Sequence, residues 1–311
     1  MSGIVLGTMY FGTSISEKAS YDILDKYIEL GGEWIDTANC YSFWRSDSGF
    51  GGQSESLLGR WMTARRCRDQ VKLSSKVGAE PISPGSFPYS VEGLKHSVVL
   101  NAMDDSLVRL QVDSIDLYWA HMEDRTVSPS MLCDTFNEIV LLGKTSRIGL
   151  SNHPAWYAAT ANEYARSNGM TPFSALQLRE SYIHPRPDVK VDGENHVNGM
   201  MTPESKDYAG YAGVALWAYT PLLTGAYEHP ERPLPKAYDH PGTYCRLVML
   251  NYWARELQLK PSQLVVSYML SQDPVVMPIV GVSSVEQLEM AMKASEYQLP
   301  DEAKAALDSA S

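Results

Sequence analysis

Short apolar runs alternate along this chain with longer stretches whose apolar residues recur every three or four positions. The first run is Ile4-Val5-Leu6-Gly7. Ser16-Glu17-Lys18 then offers a helix cap, and Ile23, Leu24, Tyr27, Ile28 and Leu30 follow at helical spacing until Gly31-Gly32 stops them. Trp34-Ile35-Asp36 predicts the second strand, and residues 71–76, 115–120, 147–151, 174–178, 214–219 and 275–279 predict the others. Helices are predicted over 54–62, with Leu57, Leu58 and Trp61 on one face, and over 91–110, 131–142, 154–167, 244–257, 261–271 and 285–294. Strands that alternate with helices make βα units and a parallel sheet. About eight units in a chain of 311 residues fit a closed (β/α)8 barrel with extra helices better than an open doubly wound sheet. No G-x-G-x-x-G follows an early strand, which counts against a Rossmann fold. A single barrel domain over residues 1–311 is expected, with two long unpatterned loops at 42–53 and 180–203.

Composition narrows the function classes. With 44% hydrophobic residues the chain can bury a barrel-sized core. A net charge of −11 disfavours nucleic acid and an anionic membrane surface as partners. Cys40, Cys67, Cys133 and Cys245 are far apart and form no C-x-x-C, so neither a zinc site nor a disulfide framework is expected, and no metal. Reduced thiols, the absence of a signal-peptide pattern at Met1 and the absence of an apolar run of ~18 residues together lead us to expect a cytoplasmic protein.

In such a barrel the chemistry sits at the C-terminal ends of the strands. Those ends carry Thr8 and Met9, Asp36 with Tyr41, Lys76, His121, Ser151 with Asn152, Gln177, Tyr219 and Gly281. Each alone has a structural account: Asp36 as a turn cap, Lys76 as an exposed strand end, His121 as a core histidine, Ser151-Asn152 as a cap for the helix at Pro154. A polar group after nearly every strand is instead an ionisable set on one face. Burial would hold the Asp36 carboxylate, and an adjacent cation would lower the Tyr41 pKa toward working pH.

At these residues the chain resembles the aldo-keto reductases. The matching motifs are Leu6-Gly7-Thr8, Asp36-Thr37-Ala38-x-x-Tyr41, Ser54-Glu55-x-x-Leu58-Gly59, Ser75-Lys76-Val77-Gly78 and Asp116-Leu117-Tyr118-x-x-His121. They continue as Ile148-Gly149-Leu150-Ser151-Asn152, Tyr219-Thr220-Pro221-Leu222 and Pro278-Ile279-Val280-Gly281-x-Ser283-Ser284-x-Glu286-Gln287-Leu288, in family order. The resemblance implies reversible hydride transfer between a nicotinamide cofactor and a carbonyl or alcohol, with Asp36, Tyr41, Lys76 and His121 catalytic. Tyr41 is implied as general acid, Lys76 with Asp36 as its electrostatic support, and His121 as the group that orients the carbonyl. The cofactor would meet Gly7, Thr8, Met9 and Asp36. Ser151, Asn152 and Gln177 would bind its carboxamide, and Tyr219 would stack on the nicotinamide. Pro221, Leu222, Leu223 and Gly225 would lie along the pyrophosphate, and Gly281, Ser283 and Gln287 at the adenosine end. Phe43, Trp44, Trp119 and Met122 are the candidate substrate walls, suited to a sugar, a polyhydroxylated metabolite or an aromatic ketone.

Departures from the family pattern bear on the cofactor. Ala226 stands where relatives often carry a lysine, Gly281, Val282 and Ser283 where an Arg or Lys is frequent, Ala291 where an Asn is, and Glu180 where a Tyr is usual. NADP(H) is expected from the family, with NAD(H) also used. No family-type N-terminal hairpin precedes Ile4, so none is expected on the barrel floor. The resemblance also extends to regulatory relatives that bind cofactor with little turnover. A further alternative is a different barrel enzyme that pairs Asp36 with Glu123 or Asp124.

Overall fold

The computed structural model describes residues 3–187, 189, 199–229, 231–232 and 234–310. Eight parallel strands close into a barrel in the order β1 to β8. They are β1 (Val5–Gly7), β2 (Trp34–Asp36), β3 (Lys72–Val77), β4 (Leu117–Ala120), β5 (Ile148–Ser151), β6 (Ala175–Arg179), β7 (Ala215–Tyr219) and β8 (Val276–Gly281). The expected (β/α)8 barrel is therefore the observed one.

The helices α1 (Glu17–Glu29), α2 (Gln53–Arg65), α3 (His96–Leu110), α4 (Pro129–Leu141), α5 (Ala155–Ser167) and α6 (Pro203–Ala212) cover the outside. So do α7 (Pro241–Glu256), α8 (Pro261–Leu270), α9 (Val285–Ser295) and α10 (Asp301–Ser309). In α1, Ser16 caps the backbone N–H of Ala19 as its sequence suggests. The buried Tyr27 hydroxyl of α1 shares its one proton between the carbonyls of Ile4 and Trp34, both at 2.9 Å, and so ties the starts of β1 and β2 together.

Side-chain alternation divides each strand between two cores. Leu6, Ile35, Tyr118, Leu176 and Leu216 face the helices, within the large outer core. Val5, Trp34, Leu117, Trp119, Ala175, Trp217, Met277 and Ile279 fill the barrel interior. Trp217 meets Trp34 and Trp119 edge-on at 5.1 and 5.3 Å between ring centres. Counting two residues onward along the same inward face gives Gly7, Asp36, Lys76, His121, Gln177, Tyr219 and Gly281. The interior packing therefore sets which side chains reach the C-terminal mouth.

Three expectations are corrected. The helix predicted over 91–110 begins only at His96. Gly93 takes φ +71°, and the Leu94 N–H donates to Asp124 Oδ2 at 2.9 Å, so tertiary contacts claim this backbone before a helix starts. Helices α6 and α10 had not been predicted. Helix α6 is short, opening on Thr202 and Pro203 with a capping box, where the sequence suggested the end of a loop. Much of the loop expected at 180–203 lies outside the described residues. Among the described residues no helix is long and apolar enough to cross a membrane.

Candidate active site

Asp36 ends β2 and is 1% exposed. Register pairs it with Ser74, and the Ser74 hydroxyl donates to Asp36 Oδ1 at 2.6 Å. Two residues further along β3, Lys76 is fully buried. Its Nζ donates to Asp36 Oδ2, to the Thr37 carbonyl and to the Tyr41 hydroxyl, each at 2.6 Å. An ammonium with three donors has thus found three acceptors, which is what allows it to be buried at all. Tyr41 lies in the turn after β2, just before Ser42, whose φ is 68°. Its hydroxyl also reaches Asp36 Oδ2 at 3.4 Å. His121 follows β4 directly, its N–H held by the Val77 carbonyl at 2.8 Å, and its ring meets Tyr41 edge-on at 6.0 Å. The four residues singled out in sequence converge at one mouth of the barrel.

The electrostatics differ from the sequence expectation in one respect. Burial, with the Asp36 carboxylate beside it, pushes the Tyr41 phenol well above its ordinary value. Burial pulls Lys76 down, and Asp36 opposes that shift. Lys76 thus does not bring Tyr41 toward neutrality here. Burial and the Asp36 charge both favour the neutral phenol, which keeps its proton.

The other predicted positions fall around this centre. Ser151 and Gln177 pair in register on β5 and β6, both buried. Gln177 Nε2 donates to Asp36 Oδ1 at 3.2 Å. Asn152, at φ 61°, donates to the His121 carbonyl at 2.9 Å and accepts from the Tyr219 hydroxyl at 2.8 Å. Thr8 is buried against the Asp36 carbonyl at 3.0 Å, the carbonyl of Met9 accepts from Ser42, and Gly7 pairs with Gly281. After β7, Leu223, Thr224 and Gly225 have φ of 46°, 55° and 90°, a left-handed curl rare outside glycine. Pro221 and Tyr227 are pinned to the β6 loop through the Ser181 hydroxyl, 2.6 Å from each acceptor or partner oxygen. Ser283 N–H and hydroxyl both donate to Gln287 Oε1, at 2.8 and 3.1 Å, ahead of α9 and its cap Ser284. Arg232 donates to the Thr224 carbonyl.

Among the substrate candidates, Phe43 and Met122 pack beside Tyr41 against Ala38, Cys40 and Ala79. Trp44 is 45% exposed at the rim, while Trp119 is fully buried in the interior layer with Trp34 and Trp217. Sequence reading missed Phe87 and Tyr10, whose rings meet Phe43 and Trp44 at 5.0 and 6.4 Å. Phe87 lies in a stretch with no periodicity to flag it. Asn39 and Cys40, in the open positions of the Asp36–Tyr41 motif, were also passed over. Glu123 pairs with Arg125 at 2.7 Å within its own loop, and Asp124 accepts from Thr126 beside it and from Leu94 ahead of α3. Among the described residues no group of three or more His, Cys, Asp or Glu is placed to hold a metal ion.

Comparison with known proteins agrees with this geometry. Residues 3–311 match the Aldo/keto reductase family. A norsolorinic acid reductase of Aspergillus flavus is 30% identical, covering 100% of this chain and 78% of its own length. One of Emericella nidulans is 28% identical, covering 97% and 76%. An aryl-alcohol dehydrogenase of Pestalotiopsis microspora is also 28% identical, covering 97% and 77%.

Proposed function

We propose, from the premise that the chain belongs to the aldo/keto reductase family, that Tyr41 is its general acid, Lys76 and Asp36 hold and polarise that acid, and His121 orients the carbonyl. The protein is a nicotinamide-dependent oxidoreductase acting between carbonyl and alcohol. The observation that carries the assignment is the unbroken Asp36–Lys76–Tyr41 chain, with Lys76 Nζ 2.6 Å from both partners. Tyr41, held protonated by burial, has a proton to give to a carbonyl oxygen as charge develops there. Lys76 donates to the same phenol oxygen, so it stabilises the phenolate as that proton leaves. Asp36, fixed by Ser74 and Gln177, keeps the ammonium charged and in place.

The cofactor's contribution, when bound, is the hydrogen and electron pair delivered to the carbonyl carbon. The donor set fits such a group: buried Ser151, Asn152 and Gln177 at two adjacent strand ends offer amide and hydroxyl partners for a carboxamide. Tyr219 beside them offers an aromatic face, and the curl at 223–225 and the N-terminus of α9 suit phosphates. We assign NADP(H) as the favoured cofactor, with weak selectivity and real use of NAD(H). No Lys or Arg lies between Val275 and Met292, and Ser283 and Gln287 bond to one another.

The substrate we propose is an aromatic carbonyl or aryl alcohol. Support comes from Phe43, Trp44, Phe87 and Tyr10, whose rings form a connected set beside Tyr41, and from the name of the aryl-alcohol dehydrogenase relative. The test is loss of reduced-nicotinamide absorbance with a panel of aryl aldehydes, aliphatic aldehydes and aldoses. Highest kcat/KM on the aryl members is expected. Preference for aldoses would discard the substrate reading, and cofactor binding without turnover on any member would discard the enzymatic roles.

A further inference from the structure

Cys40 stands immediately before Tyr41 in the turn after β2. Its Sγ lies 3.5 Å from Nδ1 of His121, within hydrogen-bond reach for sulfur. The thiol is 3% exposed and packed with Ala38 and Ala79, flanked by Tyr41, Phe43 and Met122. The two chain segments that meet here are fixed separately. On one side, Asn39 N–H donates to the Lys76 carbonyl at 3.1 Å and the Asn39 amide to Glu92 Oε1 at 2.8 Å. Gly51 packs so closely on the backbone of Asn39 and Cys40 that a Cβ there would lie 2.4 to 2.5 Å from it. On the other side, the His121 N–H is bound by Val77 and its carbonyl by Asn152. The thiol and the imidazole are therefore held together by architecture.

A neutral imidazole has one N–H and one acceptor nitrogen, and the partner of one nitrogen decides which holds the proton. Burial, reinforced by the nearby Glu80 and Glu92 carboxylates, pushes the Cys40 thiol well above its ordinary value, so the sulfur keeps its proton at neutral pH. Its S–H is then a donor, and Nδ1 the acceptor in front of it. A thiol is weak both as donor and as acceptor, whereas a neutral imidazole nitrogen is a full acceptor, so the S–H to Nδ1 pairing gives the retained thiol proton a partner.

We propose that Cys40 is a positioning residue for the reaction: its thiol donates to His121 Nδ1 and places the imidazole proton on Nε2, the nitrogen that donates to the substrate carbonyl. This rests on His121 being the carbonyl-orienting group. One turn then carries both the proton donor, Tyr41, and the residue that sets the tautomer of its partner.

The test is a nitrogen-15 spectrum of the full-length protein, with the His121 ring signals assigned from their loss in His121→Gln. The wild type is expected in the Nε2–H form. Cys40→Ala is expected to shift toward a mixture of tautomers, and Cys40→Ser, which restores a donor, to return to the wild-type form. Turnover of an aryl aldehyde should fall roughly three- to tenfold in Cys40→Ala, the worth of one net hydrogen bond, with cofactor affinity unchanged, and recover in Cys40→Ser. An Nδ1–H form in the wild type overturns the proposal, as does an unchanged ring spectrum or unchanged turnover in Cys40→Ala. The wild-type spectrum decides even if a variant fails to fold. Normal turnover in His121→Gln would remove His121 from its role, while the ring spectrum still decides the Cys40 contact.

Discussion

Lys76 is expensive to bury as an ammonium and is held by Asp36, the Thr37 carbonyl and Tyr41 together. Tyr41→Phe deletes the transferable proton and keeps the ring in its packing, so turnover should fall on the order of 10²-fold while cofactor affinity, measured by fluorescence titration, stays nearly unchanged. Lys76→Met should damage turnover as much and also strand the buried Asp36 carboxylate. Breaking a buried pair in this way costs about 3–5 kcal/mol, readable as a lower denaturant midpoint. If Lys76→Met is as stable as the wild type, Asp36 does not depend on it. A different residue sets a pH dependence. Desolvation raises the Glu80 carboxyl to about 7, against its bond from the Gly51 N–H at 2.7 Å. The folded state therefore binds this proton more tightly than the unfolded chain does. Stability from this group is present at acid pH and declines as pH rises from the unfolded value through 7. Glu80→Gln keeps an acceptor for Gly51 and removes the charge. It should stabilise the protein at pH 8 by on the order of 1 kcal/mol after solvent screening, and by less at pH 5. Equal melting curves at both pH values would show that Glu80 does not carry this linkage.

At the level of elements, close approach is bought by glycine at the strand and helix contacts that matter. Gly149 on β5 lies under Trp119 of β4, and a Cβ there would stand 2.3 Å from the indole ring. Trp119 is fully buried and packed on Trp217, so it can move aside only by displacing its neighbours. Gly149→Ala should cost about 1–3 kcal/mol by overpacking, with part recovered when Trp119→Phe is combined with it. Full stability of Gly149→Ala alone would mean that the interior layer is looser than its geometry. The same reasoning explains where α3 begins. Its predicted first turn is taken up by the Gly93 turn and the Asp124 carboxylate, because a tertiary hydrogen bond to Leu94 replaces the helical one.

Across the whole molecule, the two ends of the proposed cofactor groove are built differently. The reaction end is dense with buried, mutually bonded groups, whereas the adenosine end is short of cations. Charge-assisted bonds to phosphate are about twice as strong as neutral ones, and each one lost reduces discrimination against NAD(H) by ~1.5–3 kcal/mol. Arg232 is the nearby cation among the described residues that we expect to compensate, and its guanidinium is already engaged by the Thr224 carbonyl. The kcat/KM ratio for NADPH over NADH should therefore stay at or below about 10², and Arg232→Ala should bring it toward unity. A ratio on the order of 10³ that survives Arg232→Ala would place the adenosine end elsewhere.

The sequence alone determined the alternation of strands and helices, and with it the closed barrel, because periods of two and of three to four are local properties of the chain. It also pointed to the four proposed catalytic positions, because Asp36, Tyr41, Lys76 and His121 all lie at or just after strand ends, and the strand ends of a barrel share one face. Tertiary structure alone decided what those residues experience. The upward direction of Tyr41 comes first from its burial in the folded barrel, which no local pattern encodes, and then from the Asp36 carboxylate. Trp119 was equally visible as an aromatic beside His121. Only the barrel's interior packing sends it to the tryptophan layer, while Phe87, silent in sequence, is brought to Phe43. The contact between Cys40 and His121 joins residues 81 positions apart, and it exists because the turns after β2 and β4 are both bonded to the end of β3 between them, Asn39 to Lys76 and His121 to Val77.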